Sequence, residues 1–216
     1  MKFRALMFDL DGTLLNTLQD IADSVNRSLQ KMGFPGHPVE AYKLFIGSGR
    51  ATLALRALPS SRRDQATVDK LLDLVNQDYL EHWADNTAPY PGIAGMLDSV
   101  SKRELKLAIL SNKPDEFTQQ MVQKMLSRWH FDLVSGALKD VPVKPNPQLA
   151  LSIATRLQVR PSQILYVGDS DVDMQMAAAA EMFSAGALWG FRTKEELISS
   201  GARVLLSHPG DILDLL

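Results

Sequence analysis

The chain has 216 residues, 45% hydrophobic and 22% charged, with 23 basic residues against 25 acidic ones. That length suits one domain carrying an insertion, or a large and a small domain, with enough chain to bury a substantial core. The near-balanced charge argues against a nucleic-acid or membrane-surface partner, the absence of cysteine excludes disulfides and thiolate zinc sites, and no apolar run approaches the ~20 residues of a membrane helix.

Met1–Phe8 carries Lys2 and Arg4 and is cut short by Asp9 and Asp11. A secretory leader needs a longer apolar stretch, so this segment reads as a strand, and a cytoplasmic protein is expected. Within it, Ala5–Phe8 has the unbroken apolar character of a strand buried on both faces. Phe8-Asp9-Leu10-Asp11-Gly12-Thr13-Leu14 follows at once. Two carboxylates two positions apart at a strand end converge on one small volume, and Gly12 permits a sharp turn there. Asp9 is suited to attack phosphorus and Asp11 to protonate a leaving oxygen and later activate water.

From Thr17 to about His82 the pattern is helical only. Leu18, Ile21, Ala22, Val25, Leu29 and Met32 share one helix face, with Gly33 as a stop. Pro35 and Pro38 mark a loop, helices are predicted near Val39–Phe45, Ala51–Leu58 and Asp64–Trp83, and Asn86–Gly92 reads as a return linker. The expected organisation is therefore a helical unit over residues 17–86, inserted into a domain made of residues 1–16 and 87–216.

Beyond the insertion, strands are predicted at Leu107–Leu110, Ile164–Val167, Phe183–Leu188 and Arg203–Leu206. Helices are predicted at Gly92–Arg103, Asp115–Ser127, Pro147–Leu157, Asp171–Ala180 and Lys194–Ser199. This alternation predicts an α/β fold: an open, mostly parallel sheet with helices on both sides and ligands beyond the carboxyl ends of its strands. Ser111 and Asn112 follow the second core strand, where a hydroxyl and an amide can hold phosphate oxygens, although either also serves as a helix cap. Lys144, stiffened by Pro145 and Pro147, can neutralise charge on a phosphate and on Asp9, although a lone lysine before proline is more commonly a solvated loop residue. Asp169, Asp171 and Asp173 place three acids in five positions after Gly168, and such hard oxygen ligands suit Mg²⁺. Asp169 is nearest the strand end and is the expected metal ligand. Asp173 lies a helical turn on, where it can support metal waters or Lys144, and Asp171 can serve the helix start.

Asp9-x-Asp11-Gly12-Thr13, Ser111, Lys144-Pro145 and Gly168-Asp169-Ser170-x-x-Asp173 resemble, in order, the four motifs of the haloacid dehalogenase-like hydrolases. Ile46–Arg50, Pro89–Gly92 and Leu188–Arg192 are similar to segments of the phosphoglycolate phosphatase group. The resemblance implies a Rossmann-like doubly wound parallel-sheet core with an inserted α-helical cap domain. It implies Asp9 as nucleophile and ligand, Asp11 as acid/base and ligand through its backbone oxygen, and Asp169 as Mg²⁺ ligand. Gly12, Ser111, Asn112 and Lys144 would bind phosphate, with Ser170 and Asp173 behind them. Arg50 or Lys43 could meet a substrate carboxylate, although a solvated helix face is the plainer reading of both. Where many relatives carry Asp, this chain has Asn16, at the entry to the cap. The expected partner is a small phosphorylated metabolite, and the expected state a monomer or homodimer. Two alternatives stand beside this reading: a sugar phosphomutase, which would keep all four motifs, and a catalytically silent phosphate-binding module, which should have lost some of these groups.

Overall fold

The computed structural model describes residues 3–216; Met1 and Lys2, which opened the segment read as a strand, lie outside them. Two compact units are present. One comprises the residues up to Leu15 together with Pro89–Leu216, and the other comprises Asn16–Ala88.

The first unit is built on β1 (Ala5–Phe8), β4 (Lys106–Pro114), β5 (Leu133–Ala137), β6 (Ile164–Gly168), β7 (Phe183–Ala187) and β8 (Val204–Leu206). They form one sheet in the order β5-β4-β1-β6-β7-β8, and the pairings are parallel. The remaining two strands, β2 (Leu15–Asn16) and β3 (Ala88–Pro89), carry the chain from one unit to the other. The four residues of β1 are each no more than 1% exposed, because helices cover both faces of a parallel sheet. Among the described residues, no helix is long and apolar enough to cross a membrane.

The helices of this unit are α5 (Ile93–Val100), α6 (Asp115–Met125), α7 (Gln148–Leu157), α8 (Asp171–Ala179) and α9 (Lys194–Ser199). Met7, Ala108, Leu110 and Tyr166 from the sheet join Ile153, Ala154 and Leu157 of α7 and Met176 and Ala177 of α8 in one buried cluster. The strand β5 is an addition to the sequence reading. Its Leu133 and Val134 are only half buried and Ser135-Gly136 follows, so this edge strand lacks the apolar run that marks its neighbours.

Strands β4 and β6 pair with β1 on opposite edges, so the chain runs outward from β1 through β4 and β5 and then returns to β6. The strand order therefore reverses at β1, and in open α/β sheets ligands bind beyond the carboxyl ends of the strands at such a point. Strand β4 runs on to Pro114 with its register to β5 broken between Leu110 and Pro114. That irregular stretch carries Ser111, Asn112 and Lys113 over the same end.

The second unit is helical: α1 (Leu18–Lys31), α2 (Tyr42–Phe45), α3 (Arg50–Ala57) and α4 (Gln65–His82). Helix α1 buries Leu18, Ile21, Ala22, Val25 and Leu29, but also Asp20, Ser24 and Ser28. The buried Asp20 carboxylate accepts from the backbone N–H of Asn86 and Thr87 and from both side chains, at 2.7–3.0 Å. Arg27 grips Asp78 of α4 at 2.6 Å. Burial pushes the Asp78 carboxyl up, but the Arg27 bonds outweigh it and hold the group below the usual carboxylate range.

Candidate active site

Asp9 leaves β1 with its backbone N–H donating to Val167 at 2.9 Å, so the sheet ladder itself aims the residue. Its Oδ1 accepts from the Leu10 N–H at 2.7 Å and from Lys144 Nζ at 2.9 Å. Asp169, one residue beyond β6, accepts from Thr13 Oγ1 at 3.0 Å and from the Phe191 N–H at 2.7 Å. Gly12 and Gly190 flank this carboxylate closely enough that a methyl group on either would strike it. At Gly12 the backbone also has φ +84°, a conformation glycine adopts without penalty.

Lys144 is 3% exposed. Its main chain is held at both ends by Asn112, whose Nδ2 donates to Lys144 O at 3.0 Å and whose Oδ1 accepts from Lys144 N at 2.8 Å. Its ammonium reaches Asp173 Oδ1 at 2.7 Å, Tyr166 Oη at 3.1 Å and Leu110 O at 3.2 Å, besides Asp9. Asp173 also closes the capping box of α8 with Ser170, receiving the Ser170 N–H and hydroxyl on Oδ2. Asp171 instead stands 3.5 Å from Arg192 Nε. Ser111, 2% exposed, accepts from the Lys113 N–H at 3.3 Å.

Asp9, Asp169 and Asp173 each offer a carboxylate oxygen within 4.8 Å of the others. The Asp11 carboxylate stands outside that group, paired with Lys113. Three buried acids face one ammonium here. Burial first, then the charge of Asp173, pushes the Asp9 carboxyl up to about 7 against the pull of Lys144. Burial, then Asp173 and Asp9, pushes Asp169 well above the usual range. Burial would also raise Asp173, but Lys144, Ser170 and Tyr166 outweigh it and hold the group low. Lys144 is kept charged by Asp173 and Asp9 despite its burial. A surplus of buried hard oxygen donors, two of them charged only at a cost, fits a divalent cation.

Arg50 belongs to the helical unit, where it opens α3 beside Asn76. Lys43 pairs with Glu40 at 2.7 Å. Asn16 is exposed, and its Oδ1 accepts from the Leu18 N–H at 3.4 Å. Two residues at the rim carried no role in the sequence reading. Lys113 grips Asp11, and Tyr166 donates to Asp173 at 2.7 Å. A lysine ahead of proline reads as a loop residue and a tyrosine in an apolar strand reads as core, so neither gave a signal by itself.

The family model described as haloacid dehalogenase-like hydrolase matches residues 6–187. A phosphoglycolate phosphatase of Aquifex aeolicus is 30% identical over 213 residues, covering 99% of this chain and 96% of the relative. One of Pseudomonas putida is 31% identical over 191 residues, covering 87% and 70%. The solved structure of a provisionally assigned phosphoglycolate phosphatase from Lactobacillus delbrueckii subsp. bulgaricus superposes with a TM-score of 0.93 at 28% identity, covering 100% of this chain and 98% of that one.

Proposed function

The chain belongs to the haloacid dehalogenase-like hydrolases, and we propose that it is a Mg²⁺-dependent phosphatase that hydrolyses a small phosphate monoester through an aspartyl-phosphate on Asp9. The names of its relatives favour phosphoglycolate as that ester. The observation that carries the reading is the meeting of Asp9, Lys144 and Asp169, drawn from three distant segments, at the carboxyl rim of β1.

Asp9, Asp169 and the main-chain oxygen of Asp11 would hold the Mg²⁺, which when bound supplies the positive charge that lets an anionic carboxylate approach a phosphate dianion. Lys144 and Ser111, with Gly12 and Asn112 beside them, bind and orient the remaining phosphate oxygens, so charge is met where it spreads in the transition state. Asp9 attacks phosphorus. The bond to the alcohol oxygen breaks, and Asp11 gives that oxygen its proton. Asp11 then takes a proton from water as the water attacks phosphorus. The acyl-phosphate bond breaks, returning the Asp9 carboxylate and releasing inorganic phosphate.

A panel of small phosphate esters, with phosphoglycolate and hexose phosphates among them, tests this with Mg²⁺ and with chelator. Metal-dependent phosphate release is expected, strongest on small acidic esters. Isomer formation from a hexose phosphate without phosphate release, or hydrolysis indifferent to chelator, would reject it.

A further inference from the structure

Tyr166 is fully buried in β6, with its ring in the apolar cluster beneath α7 and α8. Its hydroxyl nevertheless ends among charged groups. It donates to Asp173 Oδ1 at 2.7 Å and stands 3.1 Å from Lys144 Nζ. The direction of each bond follows from the donors available. An ammonium donates three bonds and accepts none, a carboxylate only accepts, and a hydroxyl can do both. Tyr166 therefore gives its proton to Asp173 and offers a lone pair to Lys144.

Four oxygens surround the three N–H bonds of Lys144: those of Leu110, Asp9, Tyr166 and Asp173. The Asp173 contact, at 2.7 Å, is shorter than the 2.9 Å contact to Asp9. Left to charge alone, the ammonium would be drawn toward Asp173, whose pull in this dry site is little screened. Tyr166 acts against that pull twice. It satisfies part of the demand of Asp173 Oδ1 with its own proton, and it holds the ammonium from a neutral oxygen.

We propose that Tyr166 is a positioning residue whose hydroxyl apportions Lys144 between Asp173 and Asp9, keeping the ammonium aimed at the phosphate. This rests on the phosphatase reading above. It assigns no proton transfer to Tyr166, whose hydroxyl touches neither Asp9 nor, in that reading, the substrate.

The test compares Tyr166→Phe with the parent chain, alone and in a Lys144→Met background. Steady-state kinetics is paired with calorimetric titration of vanadate, a phosphate mimic, in Mg²⁺. In the parent background, Tyr166→Phe is expected to lower kcat and vanadate affinity about tenfold, the scale of one hydrogen bond to a charged group, with KM nearly unchanged. In Lys144→Met the same substitution should leave vanadate affinity unaltered, because the hydroxyl then has no ammonium to aim. Parent-like kcat and vanadate binding in Tyr166→Phe would overturn the proposal. So would an equal loss of vanadate affinity in both backgrounds, which marks general loosening of the core. If the parent chain neither hydrolyses esters nor binds vanadate, the phosphatase reading itself fails, an outcome distinct from either of these.

Discussion

Lys113 Nζ lies 3.1 Å from each carboxylate oxygen of Asp11, and the two side chains are only 5% and 11% exposed. A single ammonium centred on both oxygens holds the carboxylate plane in one orientation. If Asp11 serves the departing alcohol and the incoming water in turn, that orientation matters at both steps. Lys113→Met is expected to lower kcat by about tenfold to a hundredfold, as misplacement of a catalytic group does. It should also cost about 3 kcal/mol of stability, since it strands a largely buried charge. Lys113→Arg should restore part of both. Steady-state kinetics and thermal melts of the two variants check this, and an unchanged kcat in Lys113→Met would detach Lys113 from the reaction.

Why Lys113 escaped the sequence reading, when Asp9 and Asp169 did not, follows from how burial is signalled. Asp9 and Asp169 follow apolar runs that can only be strands buried on both faces, so their position at the sheet rim is legible from neighbours alone. Lys113 is buried because β4 continues past a register break to Pro114, a tertiary accommodation with no local pattern. Tyr166 was legible as core, and its ring is core. Its hydroxyl matters through Lys144, 22 positions away in sequence, and one sequence carries no trace of that pairing. Strand β5 escaped for the opposite reason: an edge strand of mixed burial has no periodicity to betray it. The buried polar stripe of α1 shares its helix with the apolar face that identified the helix, and its partners, Asn86 and Thr87 for Asp20 and Arg27 for Ser24, explain why it is there.

Replacing Asp9 separates chemistry from folding. Asp9→Asn keeps the volume and one acceptor oxygen but cannot form the acyl phosphate. Activity on p-nitrophenyl phosphate should fall at least about a thousandfold, as loss of a nucleophile does. Stability should not fall with it. Burial and Asp173 push the Asp9 carboxyl up to about 7, so above that pH the metal-free fold carries an unfavourable charge which the amide lacks. Thermal melts at pH 8 in chelator should therefore place Asp9→Asn level with the parent or above it. Full activity in the variant would remove Asp9 from the nucleophile's place.

The same shift makes stability depend on pH and metal together. Asp9 ionises near its ordinary value, 3.8, in the unfolded chain and at about 7 in the metal-free fold. Between these values the folded state binds more protons than the unfolded one, so stability falls as pH rises through this window and levels off above it. Asp169, also pushed up by burial, acts in the same direction. A bound cation favours both carboxylates, returns their pKa values toward or below ordinary, and releases protons on binding. The rise in Tm produced by Mg²⁺ should thus be small near pH 5 and grow toward pH 8. Melts across that range with Mg²⁺ and with chelator measure it. A Mg²⁺ increment that shrinks with rising pH would contradict a site made of these acids.

Asp20 offers a test confined to the helical unit. Its carboxylate accepts two backbone and two side-chain groups of Asn86 and Thr87, closing the end of the unit onto α1. Asp20→Ala would leave the N–H and the hydroxyl of the buried Thr87 without an acceptor, at about 1–3 kcal/mol each. A loss of at least about 2 kcal/mol in denaturant unfolding is expected on that basis, and amide exchange at Asn86 and Thr87 should quicken. Stability equal to the parent would mean that water replaces the carboxylate without cost.

Gly190 bears on the proposed metal site without contributing a side chain. A Cβ built there would clash with the Asp169 Cβ and with its carboxylate, while the Phe191 N–H of the same turn donates to Asp169 Oδ2 at 2.7 Å. The missing side chain lets the backbone come close enough to make that bond. Gly190 is not among the residues of positive φ, so alanine there is opposed by contact alone and not by backbone conformation. Gly190→Ala must push Asp169 away, break its bond to Phe191, or shift the turn. Overpacking of this kind costs about 1–3 kcal/mol, and displacing a ligand's support weakens metal affinity by about tenfold to a hundredfold. The matched control is Gly95→Ala in α5, where nothing lies within 4 Å of the added methyl. Removing a glycine from a helix interior should there stabilise by about 0.5–1 kcal/mol. Calorimetric Mg²⁺ titration of both variants separates the effects: loss of affinity in Gly190→Ala with parent-like affinity in Gly95→Ala is expected. Parent-like Mg²⁺ affinity in Gly190→Ala would show that the ion does not depend on where Asp169 stands.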